Sequence, residues 1–337
     1  MSYTEEDTIF VQIASYRDPE LQWTLKDLFE KAKRPENIFV GICHQYDMKG
    51  DEDKHLFEIP FSYPEQLRID EVDYRESQGC CWARNRVQKL WKGEKWTLMI
   101  DSHMRFEEDW DEILVSDIKD QINKMNTNKI VLTAYAPGFW YNSDKNEQKD
   151  SNVGSIYLGF DSGYIRCNGA RNNANMSQIA SFAGGFNFSL ACYFINEIIY
   201  DSKLFFLGEE PTIAARLFTK NWKILYYNNI VVWHLYNTNK EHVKTERQIN
   251  TNSKNNEISK SRQQHLFNMK KTKDPEVLQN IKEYGLGNKR TLRDYERFSG
   301  VDFRKKTTKE HTKQGVFEEW QEVSKIVDVK KIFNSLI

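Results

Sequence analysis

Charge of one sign is not in excess here: 48 Lys and Arg stand against 49 Asp and Glu, a formal net charge of −1 over 337 residues. No global basic field exists to recruit nucleic acid, and a nucleic-acid partner is disfavoured. Cysteine is scarce, with 5 in the chain. None has paired metal-finger spacing, and Cys80 and Cys81 are adjacent, an awkward geometry for a bridge. They read as reduced, partly buried thiols rather than a disulfide framework. No apolar run approaches the roughly 20 residues needed to span a bilayer. The start, Met1-Ser2-Tyr3-Thr4-Glu5-Glu6-Asp7, is acidic and polar and lacks a basic and then apolar export signal. These absences point to a soluble, cytoplasmic protein with no transmembrane segment. What the chain does have is material for a core. Aromatics make up 13% of it, which offsets a hydrophobic fraction of 39%. The length suits one large α/β domain with an elaborated C-terminus, or two domains.

Strand and helix signals alternate in the first third. Residues 9–14 (IFVQIA) form a short apolar run, and Asp18-Pro19 then supplies an N-cap and first-turn pair. Leu21, Leu25, Leu28, Phe29 and Ala32 follow at helical spacing until Pro35. Residues 38–43 (IFVGIC) predict a second strand. Ala83, Val87, Leu90 and Trp91 mark a helix ending near Gly93, before the strand Trp96-Thr97-Leu98-Met99-Ile100. Trp110 to Met125 reads as a helix and residues 130–134 (IVLTA) as a strand. This β-α-β order predicts a mainly parallel sheet with helices on both faces. Ligands of such sheets sit beyond the carboxyl ends of the strands. Residues 15–18, 44–47 and 101–103 are all polar clusters at such ends.

Asp101-Ser102-His103 follows the apolar run of residues 96–100. Asp101 and His103, one residue apart in an extended segment, project to the same side. A hard oxygen and an imidazole there can hold a divalent cation that keeps open positions for phosphate oxygens. Alone, D-x-H arises often by chance, and a turn cap plus a packed histidine explains it equally well. Ala183-Gly184-Gly185-Phe186 offers close backbone approach, or simply a turn. Glu209 and Glu210 open a helix with Pro211 in its first turn, where the helix dipole alone favours them. His234 ends the strand Ile230-Val231-Val232-Trp233 and gains meaning only if the fold returns it to Asp101. Residues 142–155 and 171–175 are polar; the first is expected to be a mobile surface loop, and both are open to a gating role or to none.

Taken together, the motifs resemble the polypeptide α-N-acetylglucosaminyltransferases related to the cytosolic enzyme that modifies hydroxyproline on Skp1, with bacterial relatives. The resemblance rests on Ile13-Ala14-Ser15-Tyr16-Arg17-Asp18-Pro19, on Val40-Gly41-Ile42-Cys43 leading to Gln45, and on Gly79 with Trp82-Ala83-Arg84. It continues through Ile100-Asp101-Ser102-His103-Met104-Arg105-Phe106 with Trp110-Asp111, then Gly184-Gly185-Phe186, Leu207-Gly208-Glu209-Glu210 and His234. It ends with Tyr284-Gly285-Leu286-Gly287, Arg290-Thr291-Leu292 and Tyr295 to Phe303. More distantly the same order is similar to the mucin-type polypeptide GalNAc-transferases.

The resemblance implies a GT-A glycosyltransferase fold, in which a Rossmann-like nucleotide-sugar half is merged with an acceptor half. It implies residues 1–240 as the catalytic domain and residues 241–337 as a mainly helical extension packed on or near the active site. It further implies a UDP-GlcNAc donor, a divalent cation (usually manganese) and retention of configuration. By the same resemblance Ala14, Ser15, Tyr16 and Arg17 cradle uracil and ribose. Arg84 lies near uridine and diphosphate, Ser102 belongs to the cofactor-binding set, and Gly184 and Gly185 line the sugar pocket. Asp101, His103 and His234 ligate the metal, and Glu209, Glu210 and Asp101 form the catalytic set. His44 stands where the family has an aromatic. The expected reaction is transfer of N-acetylglucosamine to a hydroxyl of a protein acceptor (hydroxyproline, Ser or Thr). A surface or capsular glycan acceptor is the first alternative, and a non-catalytic sugar-nucleotide-binding protein of the same fold is the second. Residues 240–273 are strongly charged, including Lys244, Arg247, Lys254, Lys260 and Arg262. They read as a solvated helical surface, with Arg262 and His265 as secondary candidates for closing over the donor. An apolar stripe within residues 323–333 has helical spacing and reads as packing onto the body of the protein. Acceptor identity and oligomeric state are left open.

Overall fold

The computed structural model describes residues 3–161, 163–170, 176–236, 254–315 and 317. The expectations for residues 171–175, for Lys240, Lys244 and Arg247, and for the stripe in 323–333 fall outside them. In chain order the elements begin Ile9–Tyr16 (β1), Glu20–Glu30 (α1), Ile38–Tyr46 (β2), Leu67–Asp73 (β3), Cys80–Gln88 (α2), Trp96–Asp101 (β4) and Met104–Phe106 (β5). Next come Trp110–Met125 (α3), Ile130–Thr133 (β6), Phe139–Tyr141 (β7), Glu147–Lys149 (β8), Ser155–Asp161 (β9), Tyr164–Ala170 (β10) and Phe186–Leu190 (β11). Ala191–Glu197 (α4), Glu209–Thr219 (α5), Lys223–Tyr226 (β12), Val232–His234 (β13), Lys254–Leu266 (α6), Pro275–Leu278 (α7) and Leu292–Ser299 (α8) follow. The described chain ends with the ribbon Val301–Asp302 (β14) and Thr307–Thr308 (β15) and the turn of helix Glu310–Lys313 (α9).

The central sheet has the order β12-β6-β11-β4-β1-β2-β3. β1 is parallel to both β2 and β4, and β12 is parallel to β6. Ile9, Phe10, Val11 and Ile13 of β1 are all buried, as a strand covered on both faces requires. In α1, Leu21, Leu25, Leu28 and Phe29 recur at helical spacing and all pack inward.

One strand breaks the pattern, and it matters for the site. β11 runs antiparallel between β4 and β6, with Phe186 opposite Ile100. A reversed strand begins at the edge where its parallel neighbours end. Gly184 and Gly185 therefore arrive beside Asp101. β13 pairs antiparallel with β5, putting His234 opposite Met104, and Leu235 N–H donates to His103 O at 3.1 Å. Two reversals thus return remote segments to the carboxyl edge of β1, β2 and β4.

The structure departs from the sequence reading at two places. Leu67–Asp73, in the stretch between residues 38–43 and the helix at Ala83 where the sequence reading has no element, is the edge strand β3, parallel to β2. Its half-exposed face carries charges, which hide it from an apolar count. Within the expected loop 142–155, residues 147–149 form β8 and pair with β7 in a hairpin. Residues beyond 240 share the main core: Phe267, Tyr295, Phe298, Val301 and Phe303 pack in the same cluster as the sheet residues.

Candidate active site

β4 stays buried up to Ile100, and Asp101 emerges at the edge. One carboxylate oxygen and one imidazole nitrogen each from Asp101, His103 and His234 lie within 4.8 Å of one another. His234 Nε2 is 3.2 Å from Asp101 Oδ2 and 3.1 Å from His103 Nε2. The far side of His103 is fixed by Asp18, whose Oδ2 lies 2.7 Å from His103 Nδ1. The same oxygen accepts from Ser102 Oγ at 2.5 Å, and Asp18 Oδ1 accepts the Glu20 N–H at 3.0 Å. A carboxylate against Nδ1 makes that nitrogen the N–H and leaves the Nε2 lone pair facing the cluster. Asp18 was legible in sequence as the cap of α1. Its hold on His103 was not, because that contact spans 85 positions.

Burial works against a charged His103, but the Asp18 carboxylate outweighs it and raises the imidazole above its ordinary value. Burial lowers His234, and proximity to His103 adds to that. Two imidazole nitrogens 3.1 Å apart must share a proton or a cation between their lone pairs. Two imidazoles and a carboxylate, with one histidine already oriented by a carboxylate, form a donor set that fits a divalent cation.

Arg84, buried on α2, ties this cluster to α5. It donates to Asp101 Oδ1 at 2.7 Å and to Glu209 Oε1. Burial opposes ionisation of Asp101, but the hydrogen bond to His234 and the charge of Arg84 hold its carboxyl well below the usual range. Glu209 Oε2 also lies 3.4 Å from the Cys81 thiol. Glu210 turns to the other wall, where it accepts the Gly184 N–H at 2.9 Å and the Tyr135 hydroxyl at 3.0 Å. Burial pushes its carboxyl up to about 7, against the Gly184 hydrogen bond and with help from the charge of Glu209. Tyr135 lies two residues past the end of β6, and the same carboxyl-edge rule points to it.

These groups line a cavity of about 780 Å³, within the usual size for a ligand site. Ala14, Tyr16, Arg84, Ser102, Gly184 and Gly185 all line it. Ser15 and Arg17 do not. Ser15 is fully buried in β1. Arg17, at a φ of 50°, turns away to Asp53 at 2.9 Å and Glu52 at 2.7 Å and stacks over Tyr74 at 4.1 Å. His44 packs among Tyr46, Phe57 and Phe61, and burial pulls it down to about 4. Arg262 and His265 are not among the cavity-lining residues.

A family model described as Glycosyltransferase (GlcNAc) matches residues 8–58 and 48–305. The chain belongs to this glycosyltransferase family. The fold is that of the GT-A glycosyltransferases. The solved structure of GalNAc-T7 with UDP, GalNAc and Mn2+ is similar at a TM-score of 0.55 and 14% identity, covering 86% of this chain and 56% of that one. S. aureus TarS 1-349 in complex with UDP-GlcNAc has a TM-score of 0.44 and 13% identity, covering 71% of this chain and 61% of that one. The chain thus spans less than two thirds of either. No curated protein matches it.

The geometry of the candidate site supports two predictions. A Cβ on Gly185 would fall inside van der Waals contact of Asp101 Oδ2 and 3.2 Å from its Cγ. Asp101 is pinned by Arg84 and His234, so Gly185→Ala displaces the carboxylate. Divalent-cation affinity measured by calorimetry should fall about 10-fold or more, with the thermal melt little changed. An unaltered cation affinity would show that Asp101 yields freely.

The second prediction concerns Glu210. Its folded carboxyl holds a proton that the unfolded chain, at the ordinary value of 4.5, has released by about pH 7. Its stabilisation is therefore complete below about 4.5 and is lost as pH rises through about 7. Glu210→Gln removes this titration. Between pH 4.5 and 8 the wild type should lose on the order of 1–3 kcal/mol more stability than the variant. Parallel denaturation curves at every pH would refute it.

Proposed function

We propose that this chain transfers N-acetylglucosamine from UDP-GlcNAc to a hydroxyl of a protein acceptor, with retention and with manganese or another divalent cation bound. The convergence of Asp101, His103 and His234 on one point at the cavity wall carries this reading. The family description supports GlcNAc as the sugar, and the GalNAc-T7 structure pairs UDP with Mn2+. The resemblance to the enzymes that modify hydroxyproline on Skp1 supports a protein acceptor. The resemblance to a cytosolic enzyme supports a cytoplasmic reaction; separately, no helix among the described residues is long and apolar enough to cross a membrane.

The charges favour a cation. Asp18, Asp101, Glu209 and Glu210, the last holding its proton up to about pH 7, line the cavity against Arg84 and Arg166, and Arg84 is already engaged by two carboxylates. An anionic diphosphate meets repulsion there without a compensating charge. Asp101, His103 and His234 would hold the ion, which supplies Lewis acidity toward the departing diphosphate. Gly184 and Gly185 allow the sugar to approach the backbone. The bond from C1 to the phosphate oxygen breaks while the acceptor oxygen bonds to C1 from the same face. The hydroxyl proton passes to the leaving phosphate. Glu209, committed to Arg84 and the Cys81 thiol, is poorly placed to serve as a covalent nucleophile and acts instead by positioning the sugar or acceptor.

A glycan acceptor is the second reading. Tyr236 and Phe206 line the cavity and are 54% and 41% exposed, and exposed aromatic faces suit pyranose rings. The deciding experiment measures UDP release from a panel of UDP-sugars with manganese and then with EDTA, with peptide and glycan acceptors added in turn. EDTA-sensitive release from UDP-GlcNAc, raised by a hydroxyl-bearing peptide, is expected. A larger rise with glycan would select the second reading. Silence throughout, with no UDP–manganese binding by calorimetry, would leave a non-catalytic protein.

A further inference from the structure

Arg216, in the last turn of α5, is 1% exposed, and its Nε and Nη2 find no acceptor among the described residues. With Asp201, Thr212, Arg262, Gln263 and Tyr284 it lines a small cavity separate from the candidate active site. The space open there, about 10 Å³ to the centre of a water-sized sphere, is about that of one water, and a monoatomic ion only slightly larger than water is the largest anion it could take.

Among the described residues, most side chains around Arg216 are already committed to other partners. Arg262 takes both oxygens of Asp201 through Nε and Nη2 at 2.8–2.9 Å. Its Nη1 is used by Val277 O at 2.5 Å and Gln279 O at 2.9 Å. Asp201 Oδ1 accepts the Lys203 N–H as well, at 3.1 Å, so its acceptor directions are filled. Thr212 Oγ1 donates to Gly208 O at 2.7 Å. The Gln263 side chain is paired with both backbone groups of Ile165, at 2.6 and 2.9 Å.

Two buried guanidiniums therefore share one carboxylate. Burial lowers Arg216 to about 10, so it still carries its charge at neutral pH. The Asp201 carboxylate favours both charges but is held by Arg262, so the pair carries one buried positive charge in excess, which is strongly unfavourable. Water can accept the N–H groups but leaves the charge uncompensated. An anion does both, and the size of the cavity excludes sulfate or phosphate.

We propose that this cavity binds one monoatomic anion, chloride under ordinary conditions, through Arg216 Nε and Nη2. The ion joins α5 to the C-terminal segment that supplies Arg262, Gln263 and Tyr284. Because α5 also begins with Glu209 and Glu210, the ion steadies one wall of the candidate active site. The inference does not depend on which sugar or acceptor is used.

The test has two readouts on the full chain. Crystals grown with bromide in place of chloride should show an anomalous peak within hydrogen-bond distance of Arg216. Thermal unfolding in chloride, against gluconate at equal ionic strength, should give a Tm higher by roughly 2–4 °C. Arg216→Met, which leaves the Asp201–Arg262 pair intact, should lose that difference. No anomalous peak in the cavity would overturn the proposal, whether or not the variant folds. An equal chloride effect in Arg216→Met would do the same.

Discussion

Asp101→Ala lowers transfer by roughly 10³-fold or more while the protein still folds. Asp101 does two jobs that no neighbour can take over. It is the carboxylate of the three-residue cluster, and it fixes one arm of Arg84 at 2.7 Å. Its loss leaves His103 and His234 as two imidazoles with no anion between them, a weaker donor set for a hard divalent ion. Folding survives because Arg84 keeps Glu209, and no buried charge is left wholly unpaired. The effect should therefore appear in kcat/KM and in the manganese titration, with a melting curve close to wild type. Undiminished metal-dependent transfer in a folded Asp101→Ala protein would remove the central assignment.

The sequence exposes the parts of this site that are local, and it conceals those that depend on return paths. β1, β2, β4, β6, α1 and α3 are legible because each is buried along a continuous or periodic apolar face. The carboxyl-edge rule then leads from β4 to Asp101 and His103. Nothing in the local pattern reveals that β11 runs against its neighbours, because strand direction is set by pairing. Yet that reversal is what brings Gly185 to Asp101. The arrival of His234 depends in the same way on β13 pairing with β5. Arg17 is a different case. The family resemblance implies a place for it at the uridine, but a positive φ and two acidic partners far along the chain turn it away from the cavity. β3 was missed because an edge strand needs only one apolar face.

Arg84→Met should be more damaging to the fold than Asp101→Ala. The Arg84 guanidinium is buried between two carboxylates, Asp101 and the nearly inaccessible Glu209. Methionine matches much of the volume but carries no charge, so both acids lose their counter-ion together. Removing one partner of a buried pair costs about 3–5 kcal/mol, because the other charge remains uncompensated. Glu209 sits at the start of α5, where the helix dipole offsets only a fraction of that, on the order of 1 kcal/mol. Chemical denaturation should therefore show a lower midpoint, and transfer should fall with it. Arg84→Lys separates the two effects. A lysine restores one positive charge but lacks the planar fork that reaches Asp101 and Glu209 at once. Its stability should recover much of the loss, while transfer stays about 10²-fold down. Wild-type stability in Arg84→Met would show that the two carboxylates find protons or other partners. Full transfer in Arg84→Lys would show that charge alone, without the bridge between β4 and α5, is what the site requires.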